Sequence, residues 1–176
     1  MHFKIVNCPD KDFKPYVEKA ASFFAKELIL NNRIRNNCYT VIIFNNKIKE
    51  YGYAEIKGYN TAKQAREFII EIHPGIGVRN IFETLAHEMV HIKQYVNGEL
   101  NDSLTNWRGK KVNSDNIEYW SQPWEIEALG KEAGLLTKFA IQEVLWEVFE
   151  GFKDPSEPIG MIPIEWKKNV SCEMGT

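Results

Sequence analysis

Cysteine is scarce in this chain. Cys8, Cys38 and Cys172 are too few and too unevenly spaced for a disulfide framework, and no CxxC pair suggests a structural zinc ribbon, so all three are expected to be free thiols. Long apolar runs are missing too. No stretch approaches the roughly 18 residues of a spanning helix, and the longest run of that character, Val41 to Phe44 with its flanks, is strand-sized. The N-terminal MHFKIVNCPDKDF has neither an apolar h-region nor a small-residue cleavage site. A soluble, cytoplasmic protein with no membrane partner is therefore expected. Charge of one sign does not dominate: 22 Lys and Arg stand against 24 Asp and Glu, for a net charge of −2 and a pI near 6.1. That balance argues against coating nucleic acid. The basic clusters Arg33/Arg35, Arg108/Lys110/Lys111 and Lys167/Lys168 read as solvated surface. Internal repeats and low-complexity segments are absent, and no residue pattern points to a particular oligomeric state.

What is present suffices for one domain of ordinary size. The 176 residues are 44% hydrophobic and 12% aromatic, enough for a sizeable core. From Asp12 to Leu30, Phe13, Val17, Ala20, Phe24 and Leu28 recur at three- and four-residue intervals, which predicts an amphipathic helix ended by Asn31 and Asn32. Three β-rich segments follow, Cys38 to Phe44, Tyr51 to Gly58 and Arg66 to His73, read as a small, mostly antiparallel sheet. Asn80 with Glu83 three residues on predicts a capping box opening a helix that Gly98 closes. A polar stretch from Glu99 to Tyr119 predicts a loop or short hairpin. Ser121 and Pro123 then start a second helical stretch, expected to bend or divide near Gly134 to Thr137 and to end at Gly151. The fold class is α+β, with a domain over 1–151 and an extended C-terminal tail over 152–176, rich in Pro155, Pro158 and Pro163.

Chemistry concentrates in His87-Glu88-Met89-Val90-His91, an HExxH motif inside the predicted helix. Positions four apart share a helix face, so both imidazoles can reach one metal ion, while Glu88 projects about 100° away. With four His and nineteen Glu in the chain, the motif arises by chance in roughly one such sequence in a hundred. Ile81, Leu85, Ile92 and Val96 fill another side of the helix and are expected to pack into the core. A catalytic zinc needs three protein ligands and one open position. His91 is the last histidine, so sites completed by a downstream His are poor matches, and Cys172 lies in the tail. A carboxylate of the next helix remains, either Glu125 or Glu127. His73, in the third β segment, reads as a pairing or cap residue. Trp107, Trp120 and Trp124 read as anchors of the hairpin and second helix, with lining of a pocket as the alternative.

HEMVHxxQY followed by PWEIEA resembles the gluzincin arrangement, in which HExxH is completed by a Glu of a downstream ExxA-type motif. The resemblance is closest to small metallopeptidase-like proteins encoded by tailed phages, and it covers about Ile69 to Ala133. It implies a zincin-like α+β fold, a peptide or protein substrate, one catalytic Zn2+, and the strand Arg66 to His73 at the cleft edge, with backbone groups free to pair with an extended peptide. For a phage protein the compartment would be the host cytoplasm. One departure is that Leu129 follows Ala128 where many members carry an acidic residue, so the supporting contact to the first zinc His must come from elsewhere or be missing.

Between the two carboxylates, Glu125 is the expected ligand beside His87 and His91. Two residues apart on a helix means about 200° of rotation, so only one can face the metal. Glu127 stands four residues before Lys131 in the order of an exposed helix pair, which predicts that it faces water. Glu125 has the small Ala128 on its own face, matches the ExxA pattern, and lies in a first turn whose dipole favours an ionised carboxylate. Glu88 is the expected general base, acting on a water whose pKa zinc lowers to about 7. Tyr119 is the first candidate for stabilising the oxyanion and Arg108 the second. Competing functions are a zinc-binding zincin module without turnover, against which the presence of Glu88 speaks, and a protease acting on DNA-bound proteins, against which the acidic pI and missing third His speak.

Overall fold

The computed structural model describes residues 1–143; the tail 152–176, the boundary at Gly151 and Cys172 lie outside the described residues. The described residues are α+β, with four α-helices and a small mixed sheet. No helix among the described residues is long and apolar enough to cross a membrane.

The sheet begins earlier than the sequence reading has it. His2–Val6 forms β1, whose alternation of Phe3 and Ile5 with polar neighbours is a short strand signal, and Ile5 is buried. The amphipathic helix α1 (Lys14–Leu28) then buries Val17, Ala20, Ala21, Phe24 and Ala25. Asn31 ends that segment and also opens a short helix α2 (Asn32–Asn36), accepting hydrogen bonds from the backbone N–H groups of Arg33 and Ile34. The chain returns as β2 (Tyr39–Phe44), β3 (Gly52–Tyr59) and β4 (Ala65–Ile72), in the spatial order β1-β2-β4-β3.

The expected mostly antiparallel sheet is corrected by this order. β1 pairs parallel to β2 and β2 parallel to β4; only β3 and β4 run antiparallel. The helices between β1 and β2 supply the long crossover that parallel neighbours need, and β4 inserts between β2 and β3 instead of continuing a meander. The cleft-edge strand is corrected as well. Arg66 to His73 is β4, an interior strand hydrogen-bonded on one side to β2 and on the other to β3, so its backbone groups are not free for a peptide. Its run Phe68-Ile69-Ile70 is the continuous apolar pattern of an interior strand. β3, with Gly52, Lys57 and Gly58, has the glycine and charge content of an edge.

The strands lie against α3 (Val78–Val96), which buries Ile81, Phe82, Leu85, Met89, Ile92 and Val96 and packs on β3, β4 and α1. Its N-terminus is not the expected capping box. Gly77, at φ +79°, is the N-cap, and Asn80 instead donates from Nδ2 to the Ile76 carbonyl. The sharp entry after Pro74 and Gly75 places the helix start three residues earlier, and Glu83 is left to line a cavity. Gly98, at φ +67°, follows the C-cap Asn97 as expected. α4 (Pro123–Gln142) is unbroken through Gly134 to Thr137, contrary to the expected bend. Glycine costs a helix about 1 kcal/mol. Here Leu135, Leu136, Phe139 and Ala140 hold the second half down, with Phe139 ring-to-ring against Phe24 and Phe82 at 5.7 and 5.8 Å.

One close approach sets the edge strand against α3. A Cβ built on Gly52 would lie 2.5 Å from Thr84 Cγ2 and 2.8 Å from the Glu71 carbonyl oxygen. Gly52→Ala is expected to lower stability by about 1–3 kcal/mol, the usual range for overpacking, because backbone as well as side chain must shift. A thermal unfolding midpoint equal to that of the wild type would show that β3 can move away from α3 at no cost.

Candidate metal centre and cleft

α3 and α4 face each other over the HExxH residues. Ala128, fully buried, keeps the approach close, and Pro123 at the helix start puts Glu125 in the first turn of α4. There Glu125 is buried and sits opposite His87 and His91. His87 Nε2 lies 3.1 Å from His91 Nε2 and 3.2 Å from Glu125 Oε2, and His91 Nε2 lies 3.5 Å from Glu125 Oε1. Ligand atoms of all three lie within 4.8 Å of one another.

The far side of each ring is also engaged. His87 Nδ1 is 2.7 Å from Glu132 Oε2, and His91 Nδ1 is 2.9 Å from Gln94 Oε1. Both partners are acceptors, so each Nδ1 carries a proton, and in the neutral form of the two rings each Nε2 would turn its lone pair towards the other. Two nitrogen lone pairs and a carboxylate converging at these distances repel unless a cation lies between them. Ligands about 2.0–2.1 Å from a tetrahedral zinc are separated by about 3.3 Å, close to the three separations seen here. The donor set therefore fits zinc.

Protons substitute for a cation in the metal-free protein. Burial disfavours the His87 imidazolium, but hydrogen bonds to Glu125 and Glu132 outweigh it and raise the group to about 10. Glu125 is opposed by burial and held well below the usual carboxylate range by the two histidines. A raised His87 holds its proton at neutral pH, whereas a metal takes only the neutral imidazole. Zinc uptake at pH 7.5 is thus expected to release at least one proton per site and to tighten as pH rises. Calorimetric titration in buffers of different ionisation enthalpy counts the protons; none released would contradict the arrangement.

Glu88 lines, together with His87, a cavity of about 540 Å³ walled by α3, the start of β3, the turn at Tyr119 and Trp120, and α4. Its carboxyl is pushed up by burial, drawn down by His91 and His87, and pushed up again by Glu125 and Glu132. Burial of this kind makes a carboxylate a better proton acceptor near neutral pH. Tyr119 lines the same cavity, its hydroxyl held well above its ordinary value by burial and by the nearby Glu125 carboxylate. It stays a donor throughout the physiological range.

Several sequence readings are changed by what surrounds this centre. Arg108 is not in the cavity: it pairs with Glu99 at 3.2 Å and Glu127 at 3.0 Å and lies over the Trp107 ring. Glu127 lies outside the His87, His91 and Glu125 group, but it does not face water as the sequence predicts. Its Lys131 contact is 3.9 Å long, whereas Lys93 and Arg108 lie within 3.0 Å and leave 14% of the side chain exposed. The hairpin of β5 (Asn106–Trp107) and β6 (Lys110–Lys111) covers it. His73 Nδ1 accepts from the Gly75 N–H, a turn cap. Trp124 is buried against Trp107, an anchor, while Trp120 is exposed and lines the cavity. Glu132 escaped the sequence reading. It fills the role left open by Leu129, and its only sequence signal is its place seven residues, two helical turns, after Glu125. Gln94 also escaped, although it stands three residues after His91 on one helix face. Cys8 is half-buried and Cys38 buried, both free.

No protein-family model, curated protein or solved structure matches this chain.

Proposed function

We propose that the chain is a zinc-dependent metallopeptidase of zincin-like fold and gluzincin type, hydrolysing peptide bonds in the cavity beside Glu88. The observation that carries this reading is the convergence of His87, His91 and Glu125 behind a buried carboxylate that opens into that cavity. Zinc held there would supply Lewis acidity, lowering the pKa of a water to about 7 and polarising the scissile carbonyl. Glu88 accepts the proton of the attacking water and delivers it to the departing amine, a role suited to its raised affinity for protons. Tyr119 donates its hydroxyl to the carbonyl oxygen as negative charge develops there. Glu132 and Gln94 hold the two imidazoles by their Nδ1 atoms. The edge of β3 that pairs with no other described strand, and whose first residue Gly52 borders the cavity, offers backbone groups to an extended peptide in place of β4.

Two observations favour this reading over its rivals. Glu88 is not needed for metal binding alone, yet it is buried and directed into the cavity. Arg108, one of the basic side chains of the hairpin cluster, is occupied by Glu99 and Glu127. The test is digestion of a peptide library by the zinc-loaded full chain, read by mass spectrometry. Cleavage that stops on chelation and returns with zinc is expected; no cleavage of any peptide would overturn the enzyme reading.

A further inference from the structure

Gln94 is wholly buried, and both polar atoms of its amide are engaged. Its Nε2 donates to the Trp124 carbonyl at 3.0 Å and to Glu127 Oε2 at 3.1 Å, and both of these can only accept. The two N–H groups are thereby used up. Oε1 must face His91 Nδ1, and an acceptor in that place is satisfied only when Nδ1 carries the proton. The opposite amide orientation would set Oε1 against a carbonyl and a carboxylate together.

Glu127 in turn is held from outside. Lys93 Nζ and Arg108 donate to its other oxygen, Oε1, at 2.8 and 3.0 Å, leaving Oε2 for Gln94. Arg108 sits in the hairpin turn at φ +49°, a conformation that non-glycine residues seldom adopt, and from it reaches Glu99 and Glu127 together. Two residues with no place at the metal, Glu127 and Arg108, are thus joined to His91 through one amide.

We infer that Glu127 orients Gln94, and Gln94 fixes His91 as the Nδ1–H tautomer with its Nε2 lone pair directed at the metal, so that both are positioning residues of the centre. The inference rests on the metal-site reading above and goes beyond it in assigning a task to the carboxylate that is not a ligand. In Glu127→Gln the new side chain must give its single carbonyl oxygen either to Lys93 and Arg108 or to Gln94. Whichever it chooses, an N–H meets an N–H, and the constraint on Gln94 weakens. Gln94→Met removes the acceptor outright.

The test uses the full chain in wild-type, Glu127→Gln, Arg108→Ala and Gln94→Met forms. Zinc affinity is measured by competition with a chromophoric chelator, and the His91 ring is read in 1H–15N spectra of the zinc-loaded protein. Loss of a contact supporting a metal-bound His typically weakens metal binding by about 10–100-fold, the result expected for Gln94→Met, with at least about 3-fold for Glu127→Gln. A slowly exchanging Nδ1–H signal is expected in the wild type and should broaden or vanish in both variants. Unfolding curves of the metal-free forms show whether a variant is folded, and half-exposed Arg108→Ala carries the same test from the surface, with a smaller loss in the same direction. Wild-type zinc affinity together with an unchanged ring signal in a folded Glu127→Gln would overturn this inference alone. A wild type that takes up no zinc would overturn the metal-site reading, and the inference with it.

Discussion

Glu88→Gln is expected to keep its zinc and to lose peptide hydrolysis by at least about 10²-fold, the lower end of what a positioned general base contributes. The amide has nearly the shape of the carboxylate, so the cavity wall made by Glu88 and the ligand set behind it stay in place. What it lacks is the ability to take a proton from water. The loss should fall on kcat more than on KM, because the base acts in the transition state and not in holding the substrate. Glu88 is also the group whose burial raises its proton affinity, so the activity it supports should fall on the acid side as the carboxylate becomes protonated. A variant that turns over peptide at the wild-type rate would remove Glu88 from the mechanism.

The second large effect concerns the two carboxylates of α4. Glu125→Gln is expected to lose stoichiometric zinc, since the one anionic donor facing the His87 and His91 Nε2 atoms becomes a neutral amide. Glu127→Gln should still take up one zinc at micromolar protein and differ only in affinity, because its carboxylate lies against Lys93, Gln94 and Arg108. Removing Glu125 also leaves the His87 imidazolium with Glu132 as its remaining hydrogen-bonded carboxylate, so the metal-free variant should become less stable than the wild type around neutral pH. The sign follows from the raised His87: its pairing contributes below the unfolded imidazole value near 6.5 and is lost as pH climbs through about 10. Zinc measured side by side decides the assignment. Metal lost from the Glu127 variant and kept by the Glu125 variant would reverse it.

Much of this arrangement is legible in the residues because it depends on helical spacing. The four-residue spacing of His87 and His91 and the small Ala128 beside Glu125 are local facts, and the helices they predict exist with those faces turned inward. What is not legible depends on pairing across long stretches of chain. β1, five residues with Phe3, Ile5 and Val6 as its apolar signal, is too short to announce the parallel β1–β2 pair, and nothing local shows that β4 inserts between β2 and β3 rather than following β3 at the edge. The same holds for the charges. Glu127 has an apparent solvent partner in Lys131, but the hairpin brings Arg108 from nineteen residues away and α3 brings Lys93, and these win. Glu132 illustrates the converse case. The expected acidic position holds Leu129, and a carboxylate three residues on the same helix face reaches the same imidazole nitrogen.

All of these expectations depend on one property, a metal ion held by His87, His91 and Glu125. The direct measurement is the metal content of the full chain after zinc loading and gel filtration, by inductively coupled plasma mass spectrometry. The account predicts about one zinc per chain, in keeping with a single three-ligand centre. Protein that leaves the column with no zinc would contradict it.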